Sequence, residues 1–256
     1  LSEEREMEVE AILLGGQDKL EDWVKEEGVP HKALLQIGSK RMIDWVIDSL
    51  IGTPQIKKII LVGDREIFRD YLDKVDIFID DTHDFVYNLM KISDVAELPY
   101  SLITPIDVPL ITSEIYAKTL SYCYEFCPDC YLYVLVNNKR DVDENYPGTK
   151  RTYWKLKGGY YKMGNIFLIK KELYPKAIEF GKLVFEARKS AIKLASLFPF
   201  WFIVKAALHQ ATLSDCEKVV VDKIKLKGRA VPIPYPEIAI DVDKKEDLFF
   251  VRKFLK

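Results

Sequence analysis

Three short apolar runs constrain the fold more than any other feature of this chain. VEAILLGG (9–16), IKKIILVG (56–63) and YSLITPID (100–107) each read as a strand, and each ends on glycine or aspartate. The stretches between them carry apolar residues at helical spacing. KRMIDWVIDSLI (40–51) puts Met42, Ile43, Val46, Ile47 and Leu50 on one face, DFVYNLMKISDVAEL (84–98) predicts a second helix, and EIFRDYL (66–72) and VDIFID (75–80) predict a short helix and a strand. SEIYAKTLSYCYEFC (113–127) predicts a further helix, opened by Thr112 or Ser113 as a cap with Glu114 in the first turn. Strands alternating with helices predict an α/β fold with a mostly parallel sheet.

The 256 residues are 48% hydrophobic and 30% charged, enough to bury a large core. We read them as one domain over 1–256, built of two halves at 8–136 and 137–256. With 38 basic against 40 acidic side chains and no long block of one sign, nothing points to nucleic acid as a partner. The opening LSEEREMEVE is acidic where a signal peptide is basic and then apolar, and four cysteines make no disulfide framework in a chain this long, so a reducing cytoplasm is expected. The most apolar window, LASLFPFWFIVKAAL (194–208), is too short to span a bilayer and reads as a buried helix, with an interfacial membrane contact as the alternative; no stable membrane association is expected. Beyond residue 136 the chain becomes polar, with a hairpin-like KLKGGYYK (155–162) that suits a β-ribbon laid over a site, and 171–227 reads as mostly helical.

Ligands bind outside the carboxyl ends of strands in open parallel sheets, and LLGG, TPID and IDVD (240–243) all fall there. Gly15 and Gly16 can bring paired backbone amides to phosphate oxygens, although a glycine pair can equally just turn the chain. Lys32, in VPHKALLQIGSK, can place a compact positive charge on a triphosphate and on the phosphorus under attack. Asp107 before a proline-bounded turn has a plain turn role as its alternative, and Asp243 has that of a helix cap completed by Glu246. Lys150 with Arg151, and Arg188 with Lys189, can clamp an acceptor phosphate or simply face solvent.

The segments AILLGG, HKALLQIGSKRMIDWVIDSL, SLITPIDVPLIT, MGNIFLI and IAIDVDKKEDLFFVRKFL together resemble the nucleotidyltransferase family that includes molybdenum-cofactor guanylyltransferases and sugar-phosphate nucleotidyltransferases. The resemblance covers nearly the whole chain. It implies a Rossmann-like, three-layer αβα sheet of the nucleotide-diphospho-sugar transferase (GT-A-like) type. It also implies a Mg²⁺-bound NTP whose α-phosphorus is attacked by a phosphorylated acceptor, such as a sugar phosphate or molybdopterin, with loss of pyrophosphate. On the same basis Leu14, Gly15, Gly16, Lys32 and Asn88 are nucleotide-side residues, Gly164 and Asn165 line the acceptor side, and Asp107 with Asp243 holds the metal. Mg²⁺ needs only one or two carboxylates, and Asp241 is the alternative ligand, since alternation along a strand puts it on the same face as Asp243. A homodimer is compatible with the resemblance.

One departure bears on activity. The family's glycine loop carries an arginine, whereas GGQDKLEDWVKEEGVPHK (15–32) has none, leaving Lys19 or Lys25 to substitute and a nucleotide-binding protein without turnover as the second reading. Cys123, Cys127 and Cys130 have the C-x3-C-x2-C spacing of an iron–sulfur motif, but their helix and strand setting predicts apolar core thiols instead. The histidines, His31, His83 and His209, are too scattered for zinc, and His31 reads as a loop residue beside Lys32 that can reach phosphate.

Overall fold

The computed structural model describes residues 7–17, 19–187, 190 and 196–256. Its centre is an eight-stranded sheet in the order β10-β7-β9-β6-β1-β4-β5, with β8 paired to β9. The first half supplies β1 (Val9–Leu14), β4 (Ile56–Gly63), β5 (Ile77–Asp80) and β6 (Tyr100–Pro105), all parallel. β7 (Leu132–Asn138) straddles the boundary between the halves at residue 136, and the second half supplies β8 (Trp154–Leu156), β9 (Gly159–Lys170) and β10 (Gly228–Pro232). β10 runs parallel to β7, while β9 runs antiparallel to both β6 and β7 and so reverses the sheet's direction for one strand. A separate two-stranded ladder joins β2 (Gln36–Ile37) to β3 (Lys40–Arg41).

Side-chain alternation explains the three layers. On β1, Val9, Ala11 and Leu13 enter one core, shared with Ile43, Val46, Ile47 and Leu50 of α2 (Met42–Ile51) and with Tyr116, Leu120 and Cys123 of α4 (Ser113–Phe126). Ile12 points the other way, into a core with Leu89 and Ile92 of α3 (Phe85–Val95) and with Tyr174, Ala177 and Ile178 of α6 (Tyr174–Ala187). A period of two on the strand thus meets a period of 3.6 on each helix, and each large side chain so buried contributes roughly 1.5–3 kcal/mol. A third, smaller core lies at the carboxyl edge, where Val24 of α1 (Asp22–Glu26), Met42 and Leu110 meet Ile240, Val242 and the Leu248 and Val251 of α9 (Lys245–Val251). α5 (Lys139–Asn145), α7 (Phe200–Ala207) and α8 (Leu213–Ile224) complete the chain. Thr112 caps α4 by accepting from the Ile115 amide, as its sequence predicts.

Several expectations need correction. EIFRDYL forms only a 3-10 turn at Arg69–Tyr71. KLKGGYYK does form the β8–β9 hairpin, but β9, 12 residues long in all, runs on into the sheet and buries Ile166, Leu168 and Ile169. It is core as much as ribbon, because its apolar alternation resumes once Gly164 is passed. The apolar window around α7 is not a buried helix. No residue of α7 is buried and Phe200 is 80% exposed, while residues 194 and 195 of that window lie outside the described residues. IDVD is not a strand end either. After a 3-10 turn at Pro236–Ala239 the chain runs irregularly to α9, tied to the sheet edge by the Val242 amide donating to the Asp107 carbonyl at 2.9 Å. Among the described residues no helix is long and apolar enough to cross a membrane.

Candidate functional site

The carboxyl edge of β1, β4 and β6 opens on a cavity of about 1140 Å³ whose wall includes Leu14, Gly16, Lys19, Lys32, Asp81 and Asn88. The glycine turn divides its labour. Gly15 is buried, its amide donates to the Val62 carbonyl at 2.7 Å, and a Cβ there would meet the Phe68 ring at 3.0 Å. Its N–H is therefore spent inside the sheet, and the two-amide cradle expected from the sequence is not formed by this pair. Gly16 is exposed on the cavity, and a Cβ there would lie 2.8 Å from Asp81 Oδ2, so that carboxylate would have to shift. The next residue, Gln17, accepts from the Lys32 amide through Oε1 at 3.2 Å, tying the loop to the 3-10 turn Lys32–Leu34.

Lys32 stands at the focus. Its Nζ donates to Asp107 Oδ2 and lies 3.7 Å from Asp243 Oδ1, so the two carboxylates predicted as partners converge on one cation. Burial works against the Lys32 ammonium, but the charges of Asp107 and Asp243 outweigh it and its pKa lies above the usual lysine value. Asp107 is 6% exposed, and burial raises its pKa in spite of Lys32, with the nearby Asp241 charge adding to the rise. Asp243 is pushed up to about 6, first by desolvation of its carboxyl and then by Asp241. Three carboxylates thus crowd one corner, and Asp107 Oδ1 is buried there with no hydrogen-bond partner.

That donor set suits a hard divalent cation. Mg²⁺ takes oxygen ligands and asks for only one or two carboxylates, and both the orphaned Asp107 oxygen and the raised carboxyl of Asp243 would gain from its charge. No group of three or more His, Cys, Asp or Glu among the described residues is arranged as a metal cage, which a two-carboxylate Mg²⁺ site does not require.

The segment is not a strand, so alternation is not what brings the Asp241 and Asp243 carboxyl groups together, yet they do lie close to each other. Asp241 turns towards Arg151 Nη1 at 3.6 Å and Lys162 Nζ at 3.7 Å, while Asp243 turns to Lys32. The helix-cap role expected of Asp243 and Glu246 belongs to Asp247, whose Oδ2 accepts from the Asp243 and Lys244 amides at 3.2 and 3.1 Å. The side chain of Asp243 is left free of capping.

The residues expected from the sequence to line an acceptor side separate. Lys150 is exposed, whereas the Arg151 side chain is only 5% exposed and pairs with Asp247 Oδ1 at 2.9 Å. Arg188 and Lys189 lie outside the described residues. Gly164 is needed for packing: a Cβ would sit 2.6 Å from Ile238, where β9 passes the Pro236–Ala239 turn. Asn165 accepts from Lys162 Nζ at 3.2 Å and leaves its Nδ2 buried without a partner. Asn88 uses Oδ1 to accept from Thr82 N and Oγ1 at 3.0 and 2.8 Å and donates to Asp81 Oδ1, fixing that carboxylate on the cavity wall.

Lys162, Asp247, Asp81 and Gln17 were not singled out in the sequence. Asp247 had a signal there, an acidic residue at the third position of a helix, but the capping box had been placed one residue early. Of the two substitute lysines, Lys19 lines the cavity and Lys25 pairs with Asp22 at 2.8 Å. His31 turns inward, accepting from the Ala33 amide and meeting Phe68 edge-on at 5.1 Å, and burial lowers its pKa to about 4. Cys123, Cys127 and Cys130 are buried as predicted, but Cys127 and Cys130 are joined as a disulfide rather than left as thiols, their Cα atoms 5.7 Å apart where α4 turns back towards β7.

No protein-family model matches the chain, and no curated protein matches its sequence. Solved structures do. A hypothetical transferase from Thermus thermophilus superposes with a TM-score of 0.81 at 28% identity, covering 94% of this chain and 100% of its own. A CMP:2-keto-3-deoxy-manno-octonic acid synthetase complexed with CTP gives 0.61 at 14% identity, covering 96% and 98%. A 4-diphosphocytidyl-2C-methyl-D-erythritol synthase from Anaerococcus prevotii gives 0.58 at 14%, covering 96% and 97%. The fold is therefore the mixed α/β, Rossmann-like fold of nucleotidyltransferases.

Proposed function

We propose that the protein is a Mg²⁺-dependent nucleotidyltransferase that moves a nucleoside monophosphate from an NTP to a phosphorylated small-molecule acceptor. The observation that carries this reading is the convergence of Asp107, from just beyond the end of β6, and Asp243, from the segment before α9, on Lys32, which lines the cavity. Residues 8–136 then form the nucleotide side and 137–256 the acceptor side. An acceptor phosphate oxygen forms the new bond to the α-phosphorus as the bond to the β-phosphate oxygen breaks and pyrophosphate leaves. The acceptor is already an anion, so the protein needs to supply alignment and charge rather than a base.

Lys32 places its ammonium where charge builds on the α-phosphate, and Gly16 allows the nucleotide to approach the loop without a side chain in the way. Lys162 and Asn165 offer donors to the acceptor, with Nδ2 of Asn165 unpartnered. Asp107 and Asp243 would hold Mg²⁺, which when bound supplies charge neutralisation on the phosphates. The solved neighbours named for CTP or diphosphocytidyl chemistry favour a cytosine nucleotide, and the sequence resemblance to molybdenum-cofactor enzymes favours guanine. Thermal shift against the four NTPs with Mg²⁺ decides, since ligand at ~100 times its Kd adds about 2.7 kcal/mol. Pyrophosphate release with phosphorylated acceptors tests turnover, and a protein that no NTP stabilises overturns the reading.

A second reading keeps nucleotide binding without turnover. It is motivated by Glu21 and Asp22 on the cavity wall, acidic residues beside a triphosphate path that has no arginine in its loop. Stabilisation by an NTP with Mg²⁺ but no pyrophosphate from any acceptor selects it.

A further inference from the structure

The segment 241–244 has no regular secondary structure, yet its backbone is held at four points. Arg151 Nη2 donates to the Asp241 carbonyl at 2.9 Å, the Val242 amide donates to the Asp107 carbonyl at 2.9 Å, and the Asp243 and Lys244 amides donate to Asp247 Oδ2 at 3.2 and 3.1 Å. The two side chains among these holders are joined to each other. Arg151 Nη1 meets Asp247 Oδ1 at 2.9 Å, with the side chains only 5% and 12% exposed. Arg151, Asp247 and the backbone from Asp241 to Lys244 therefore close a ring, and the carboxylates of Asp241 and Asp243 project from it.

We infer that Arg151 and Asp247 act together as positioning residues that fix where the Asp241 and Asp243 carboxylates stand, so that the pair sets the protein's affinity for the divalent cation. This rests on the metal-dependent reading above. Three features separate the pair from an ordinary helix cap. A cap needs one acceptor and no cation, yet here a buried arginine is spent on the same carboxylate. The arginine also reaches past the helix to the carbonyl of Asp241, two residues before the cap begins. Finally, Arg151 is supplied by the loop before β8, so the acceptor-side half of the chain reports directly on the ligand segment. Groups that hold metal ligands from behind are worth about 10–100-fold in metal affinity where they have been removed.

The test uses the full chain and reads Mg²⁺ without needing catalysis. The NTP that stabilises the wild type most is held at a fixed concentration, and the Mg²⁺ concentration giving half of its thermal shift is measured for wild type, Asp247→Asn, Arg151→Met and the double variant. We expect each single variant to raise that midpoint about 10–100-fold and the double variant to raise it no further, because the two side chains form one unit. The melting temperature of the free proteins is recorded alongside. A pair that serves only the fold lowers it and leaves the Mg²⁺ midpoint where it was, which would overturn the inference; so would additive losses in the double variant. Should Asp247→Asn fail to fold, Arg151→Met alone decides on the same readout. A wild type that no NTP and Mg²⁺ stabilise sinks the nucleotidyltransferase reading itself and takes this inference with it, whereas wild-type stabilisation with unmoved variants removes the inference alone.

Discussion

Two buried carboxylates at opposite edges of the same sheet make an instructive pair. Glu10, near the start of β1, is fully buried; Oε1 accepts from Ser101 Oγ at 2.9 Å, and Oε2 accepts from the Glu97 and Leu98 amides at 3.0 and 3.3 Å. Tyr174 closes the network by donating to Ser101 Oγ at 2.9 Å. Asp107, just beyond the end of β6, is nearly as buried but gives one oxygen to Lys32 and keeps the other without a partner. A buried charge whose oxygens are all spent on fixed donors stabilises a structure. One with an oxygen in reserve costs stability, a cost that the proposed metal ion would offset.

The sharpest way to break this contrast is Asp107→Asn. Turnover should fall by roughly 10³-fold, since several kcal/mol of charge stabilisation at the phosphates is at stake and each 1.4 kcal/mol is tenfold. The free protein should stay folded, since Asp243 still faces Lys32 at 3.7 Å, and pyrophosphate assays with a melting curve check both. Glu10→Ala should do the reverse. Three donors lose their acceptor, costing about 3 kcal/mol in urea unfolding, with kinetics unchanged wherever the protein remains folded. An Asp107 variant that unfolds, or a Glu10 variant that folds fully and turns over slowly, would erase the distinction.

A subtler measurement sharpens it. Asp243 titrates near pH 6 when folded against about 4 when unfolded, so the folded state holds the extra proton between those values and stability contributed by this corner declines as pH rises from about 4 to about 6. In Asp243→Asn the decline should shrink without vanishing, because Asp107 is shifted in the same direction. Melting temperature against pH for the two free proteins shows it; identical profiles would remove Asp243 from the coupled corner. The smallest effect expected is in the glycine loop. Lys19→Gln should weaken NTP binding up to about fivefold, as an exposed charge contact of up to about 1 kcal/mol allows, and Lys25→Gln should not. Titrated thermal shifts distinguish them.

Much of this was legible in residues whose pattern is local. The alternation of Val9, Ala11 and Leu13 against Ile12, and the inner face of α2, follow from period alone. The strand-end position of Asp107 follows from the run that precedes it. What was hidden depends on partners distant in sequence. Nothing in LLGG says that the Gly15 amide will be taken by Val62, and nothing in IDVD says that Asp247 will cap the helix and leave Asp243 to Lys32. Arg151 reads as a surface cation until its ion pair, 96 residues away in the chain from Asp247, is seen to be buried. α7 differs for the opposite reason: its composition is that of a core helix, yet none of its residues is buried.

The reversed strand has a consequence for how the chain can be made. Tyr100 to Ile103 of β6 pair on one side with β1 and on the other with Lys170 to Phe167 of β9, which emerges some sixty residues later. Until that strand arrives, a nascent or truncated chain carries a row of unsatisfied amides and carbonyls in the middle of its sheet, where other proteins shield only their rims. The join is long-range and therefore slow, and a fragment cut anywhere before residue 159 presents a sticky seam to its copies. The two halves are stitched together at the centre, and neither can be borrowed without the other.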